Sequence, residues 1–136
     1  MSRDDPVKGT PLDAIGLDAS LTVNDLDASL RWYRDVLGFA VAREFRRDER
    51  LFAVSLRAGS ARILITQETG AKGADRVKGE GFSLRLTTEQ DIDALAAAIK
   101  TRGGTLESEP AAAWGMRFFR LQDPDGFRFT FSSPGA

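Results

Sequence analysis

The sequence predicts an α+β domain in which two βαβββ modules form a curved mixed sheet with the helices on its outer face. Three observations carry this. A strand, an N-cap, an amphipathic helix and a stopping glycine occur in that order from Ser20 and again from Ser83. Each copy is followed by three segments with the alternating polarity of strands. A stretch rich in Gly and charge, ETGAKGADRVKGEG, lies between the copies and has the composition of a link.

The chain opens on MSRDDPVKGTPLD, polar and broken by two prolines, so residues 1–12 are expected to be a flexible tail. Residues 13–136 then make a single domain, with module one over 13–68, a linker over 69–80 and module two over 81–133. In the first strand Ile15, Leu17, Ala19, Leu21 and Val23 share one face, and Gly16, Asp18, Ser20 and Thr22 share the other. Asn24 is the expected N-cap, with Asp27 in the first turn. Leu26, Leu30, Tyr33 and Leu37 follow helical spacing, and Gly38 stops the helix. Trp32 and Tyr33 are expected in the core. AVAREFRR, LFAVSLRAG and ARILITQ complete the first module as strands.

The second module repeats the plan. Phe82, Leu84 and Leu86 oppose Gly81, Ser83 and Arg85. Thr87 with Gln90 fits a capping box. Ile92, Leu95 and Ile99 form the apolar stripe, and Gly103 ends the helix. TLESEP, MRFFRLQD and GFRFTFSS follow as strands. Four strands with one helix cover only one sheet face, so the modules are expected side by side with both helices behind the sheet.

Composition limits the chemistry. The 136 residues suit one domain, and a net charge of -1 gives no bulk attraction to nucleic acid or an anionic membrane. The chain has no Cys and no His. That excludes thiol nucleophiles, thiolate metal sites and every triad built on histidine. A metal site would need oxygen donors alone. The absence of cysteine fits a cytoplasmic location.

Alternation assigns a second sheet face that is not continuously apolar. Arg62, Arg85, Arg120 and Arg128 all fall on it by parity, with Asp18, Ser20, Leu64, Met116, Phe118 and Thr130. One reading is a solvated antiparallel face with ordinary exposed arginines. The other is a groove in which the arginines grip a flat or anionic small molecule. Trp114, in the small-residue loop AAAWG, is either a stacking wall over that groove or a plug between the modules. The DPDG segment at 123–126 is read as a turn whose aspartates satisfy local amides.

VNDLDASLRWYRDVLGF and AWGMRFFRLQDPDGFRFTF together resemble the vicinal oxygen chelate superfamily, which includes glyoxalase I, extradiol dioxygenases and bleomycin-resistance proteins. The WGMRFFRLQDPDG form looks most like the bleomycin-resistance branch. The resemblance covers about residues 14–133. It implies paired βαβββ modules, a homodimer and a ligand groove on the concave sheet face. In the metalloenzymes of the group four inward side chains hold a divalent ion, and the matching positions here are Asp18, Leu64, Gly81 and Thr130. Leucine and glycine side chains cannot ligate, so no metal and no cofactor are expected. The resemblance thus implies a metal-independent binder of the bleomycin-resistance type with no catalytic residues; the alternative is a glyoxalase-like lyase or isomerase, or a dioxygenase-related enzyme. Its ligand-binding residues would be Asp18, Ser20, Arg62, Leu64, Arg85, Trp114, Met116, Phe118, Arg120, Arg128 and Thr130.

Overall fold

A computed structural model describes residues 8–71, 73 and 75–134. Residues 1–7 of the expected tail lie outside the described residues; residues 8–12 are exposed and carry no helix or strand. The first module runs β1 (Ala19–Val23), α1 (Leu26–Arg31), β2 (Ala40–Arg47), β3 (Arg50–Ala58) and β4 (Ala61–Gln67). The second runs β5 (Leu84–Thr87), α2 (Ile92–Thr101), β6 (Leu106–Ala113), β7 (Met116–Gln122) and β8 (Arg128–Pro134).

Each module contributes a four-stranded mixed sheet, ordered β1-β4-β3-β2 and β5-β8-β7-β6. The first and last strands of each module pair in parallel, and the other neighbours are antiparallel. The repeat read from Ser20 and Ser83 is therefore a repeat of topology. Among the described residues, no strand pair joins the two sheets.

One apolar cluster serves both modules. Leu21, Val23, Val54, Leu56, Ile63 and Ile65 of the first sheet and Phe119, Leu121, Phe129 and Phe131 of the second join Leu26, Leu30, Ile92 and Ile99 of the two helices in it. Full burial of each such side chain contributes roughly 1.5–3 kcal/mol. Tyr33 is fully buried and sets its ring edge-on to Phe39 and to Phe129 of the other module. Trp32 packs at the margin of the cluster. No helix among the described residues is long and apolar enough to cross a membrane.

Four local expectations are corrected. β1 begins at Ala19, and Ile15 and Leu17 stand 109% and 94% exposed instead of facing the core. The pairing with β4 begins at Ala19 and Ile63, so the chain before Ala19 lies outside the sheet although β4 itself starts two residues earlier, at Ala61. The N-caps are Asp25 and Asp91, not Asn24 and Thr87; each accepts from the amide three residues on, Ala28 or Ala94. Aspartate fulfils the same role by the same geometry. The helix after α1 widens into a π-helical segment, Trp32–Leu37, before Gly38 closes it at φ 95°. Phe82 precedes β5 and is half exposed, resting against Phe127.

The DPDG turn does more than close a hairpin. Asp123 Oδ1 accepts the amides of Asp125 and Phe127, the local bonds expected of such a turn. Its Oδ2 accepts the Tyr33 hydroxyl at 2.7 Å. Asp125 accepts the Asn24 amide at 2.9 Å and the Ser29 hydroxyl at 3.4 Å. Both aspartates thereby tie the second sheet to the start and middle of the first helix. Burial pushes the Asp123 carboxyl up, against the pull of the Tyr33 and amide bonds. Burial, and then the Asp123 charge, push the Tyr33 hydroxyl far up, so it stays a neutral donor.

Candidate functional site

The face of the second sheet away from the helices carries an open depression of about 410 Å³. Strand pleating builds it. Phe119 and Leu121 of β7 turn into the core, so Met116, Phe118 and Arg120 turn out. On β8, Phe129 and Phe131 are buried and Thr130 faces the depression. Arg85 of β5 and the preceding Ser83 supply the far side. Trp114 stands at the turn between β6 and β7, 85% exposed, and completes the rim.

Six of the residues expected to bind ligand therefore border one depression: Arg85, Trp114, Met116, Phe118, Arg120 and Thr130. Arg128 borders a second depression of the same volume, about 410 Å³, beside Gly81, Asn24 and the linker. Ser20 and Leu64 are paired neighbours on β1 and β4 of the other sheet. Arg62 is exposed at the start of β4, opposite Arg57. Asp18 is exposed just before β1. The four positions matched to metal ligands thus do not border one cavity: Thr130 lines the first depression, Gly81 the second, and Asp18 and Leu64 neither. Ser83 was not singled out from sequence, although its parity with Arg85 marked it.

The first depression is cationic and aromatic. The Arg120 guanidinium lies 5.0 Å from the centre of the Phe118 ring. No carboxylate lines the depression. Among the described residues neither Arg85 nor Arg120 takes part in an ion pair, and neither does Asp18.

Glutamates that could act as general bases lie elsewhere. Glu44 and Glu107 are exposed. Glu68 is engaged by Lys78 at 2.7 Å and Arg76 at 3.1 Å. The Lys78 bond, then the Gly70 amide, hold its carboxyl down at about 2, so it is a fixed charge rather than a proton acceptor near neutral pH. Among the described residues no three His, Cys, Asp or Glu side chains gather as a metal site would require.

The profile described as Glyoxalase/Bleomycin resistance protein/Dioxygenase superfamily matches residues 14–131. A lactoylglutathione lyase of Haemophilus influenzae is 27% identical over 122 residues, which are 85% of this chain and 89% of that protein. A probable lactoylglutathione lyase of Vibrio cholerae is 29% identical over 118 residues, 82% of this chain and 84% of that protein. The crystal structure of a Glyoxalase/bleomycin resistance protein/dioxygenase superfamily member from Sphaerobacter thermophilus superposes with a TM-score of 0.72 at 24% identity, covering 89% of this chain and 98% of that one.

Proposed function

The chain belongs to the Glyoxalase/Bleomycin resistance protein/Dioxygenase superfamily, and from that premise we propose that it is a metal-independent binding protein that holds a flat or anionic small molecule without transforming it. One observation carries the proposal. The positions matched to the superfamily's metal ligands read Asp18, Leu64, Gly81 and Thr130, a set with one carboxylate and two side chains that have no donor atom. Three or four converging donors are needed to hold a catalytic divalent ion. The depression that remains offers arginines, a hydroxyl and aromatic surface, which recognise a ligand but supply no nucleophile–base pair.

Protection of the cell by sequestration, of an antibiotic or another secondary metabolite, follows from such a site. Its extent depends on affinity and on protein concentration. A cytoplasmic location suits that role. We also assign the working unit as a homodimer. The second-sheet depression is open on one side, and the mixed face of β1 and β4, with Ser20 and Leu64, is unused by it. A second copy presenting that face would close the cup.

The second reading is a lyase, favoured by the names of the two bacterial relatives at 27% and 29% identity. Elemental analysis of the purified protein and turnover assays on aldehyde–thiol adducts, with and without added divalent ions, separate the two. The expected result is no stoichiometric divalent ion, no product with any added ion, and bound ligand recovered unchanged. A stoichiometric ion together with metal-dependent turnover would overturn the proposal.

A further inference from the structure

We infer that the ligand is an amphiphile with a flat aromatic body and an oxyanion at one end, lying along β7 with the anion at Arg85 and Arg120 and the ring toward Trp114. This rests on the reading of the depression as a binding site and adds the polarity and orientation of what it holds.

Strand register fixes the cationic end. Arg85 pairs with Thr130, and Thr130 pairs with Arg120, so the three form one row across β5, β8 and β7. Adjacent strands lie about 4.8 Å apart, which puts the two arginine backbones about 10 Å apart with a hydroxyl between them. Long arginine stems converge easily over that span. Two guanidinium forks with no lining carboxylate suit a carboxylate or a similar oxyanion.

The same pleat fixes the apolar end. Phe118 and then Met116 follow Arg120 on this face of β7, each step being about 6.8 Å. Polarity therefore falls from charged to apolar over one or two ring lengths. Arg120 packs on the Phe118 ring, which keeps its side chain at the boundary between the two rows.

Trp114 supplies an independent observation. It and Gly115 form the two-residue turn between β6 and β7, with φ of 49° and 72°. Both positive values define a turn that favours Asn, Asp or Gly. Tryptophan in that backbone is strained, and at 85% exposure it adds little to the core. The fold does not explain this residue choice. A stacking wall at the apolar end of the depression does.

Calorimetric titration of the full chain with naphthalene-2-carboxylate and its neutral counterpart naphthalene-2-methanol tests the inference. The acid should bind at least tenfold more tightly and weaken as salt is raised. Arg85→Met and Arg120→Met should each shrink that preference below threefold while leaving affinity for the alcohol within twofold. Trp114→Ala should weaken both compounds together. Equal affinity for acid and alcohol would overturn the inference and leave the binding site standing. Saturable binding of neither compound to the folded chain would remove the depression as an aromatic-ligand site altogether.

Discussion

Replacing Tyr33 with Phe should destabilise the protein by about 2 kcal/mol at neutral pH, because it removes one hydroxyl from a buried carboxylate. The Tyr33 ring would stay, and with it the edge contacts to Trp32, Phe39 and Phe129. What is lost is the 2.7 Å bond to Asp123 Oδ2, across 90 residues of sequence and between the two modules. Asp123 is 5% exposed, so water cannot readily replace the donor. The two amides on Oδ1 remain and limit the damage. A hydrogen bond to a charged group contributes about 1.5–3 kcal/mol, and the middle of that range applies here. Urea denaturation measures it. With an m-value of about 1.5 kcal/mol/M, the midpoint should fall by roughly 1.3 M. Burial already raises the Asp123 carboxyl; without the hydroxyl it rises further, so the variant takes up its proton at higher pH than the parent. The gap between the two proteins should therefore narrow on acidification through the carboxylate range. A midpoint shift under about 0.3 M, or a gap that widens in acid, would refute the claim that this bond clamps the modules.

Glu68→Gln should flatten the acid arm of the stability curve. Glu68 is held down at about 2 from 4.5, so its contribution is complete above 4.5 and lost as pH falls toward 2; thermal melts of both proteins across that window should converge at the acid end. Gly79→Ala should destabilise sharply, because a Cβ there would sit 2.7 Å from the Gly126 carbonyl oxygen on a backbone with φ of +76°; a melting temperature equal to the parent's would contradict that packing. Phe119→Ala empties a site that is 0% exposed and should cost about 3–5 kcal/mol in chemical denaturation.

The repeat was legible in the sequence because both modules obey simple periods. The apolar strand positions Leu21, Val23, Ile63, Ile65, Phe119, Leu121, Phe129 and Phe131 are all buried, as alternation requires. Parity also placed Arg85, Met116, Phe118, Arg120 and Thr130 on one face, where they line one depression. Parity says nothing about where a strand begins. Ile15 and Leu17 continue the alternation of β1 but lie before its first paired residue, Ala19, and they stand exposed. Nor does it show which sheet, or which row of a sheet, a cavity occupies, so Arg62 on the first sheet and Arg128 at the start of β8 share the expected polarity but not the depression. The Tyr33–Asp123 and Asn24–Asp125 bonds join residues 90 and 101 apart. DPDG reads as a turn from its own residues, and its second role depends on a partner that only the folded chain brings near.

The duplication also sharpens the functional argument. The interior rows of the first sheet's mixed face are Ser20, Leu64 and Ser55, then Thr22, Thr66 and Ala53. These are small or neutral side chains. The row of the second sheet at the same place in the topology, beside the parallel pair, is Arg85, Thr130 and Arg120. Equal topology with unequal faces means the scaffold alone does not call for arginine there. Solubility does not call for it at that place either: the arginines on the first sheet's mixed face, Arg43, Arg57 and Arg62, lie outside the row of Thr22, Thr66 and Ala53. A ligand gripped mainly by one module accounts for the asymmetry, and it makes a prediction that the solvated-face reading does not. Exchanging Thr22 for Arg should leave the carboxylate preference unchanged, whereas Arg85→Thr should lower it, as measured by the same titrations. Equal effects from the two substitutions would mean that the charge of the whole surface, and not the register of β5, β8 and β7, sets the affinity.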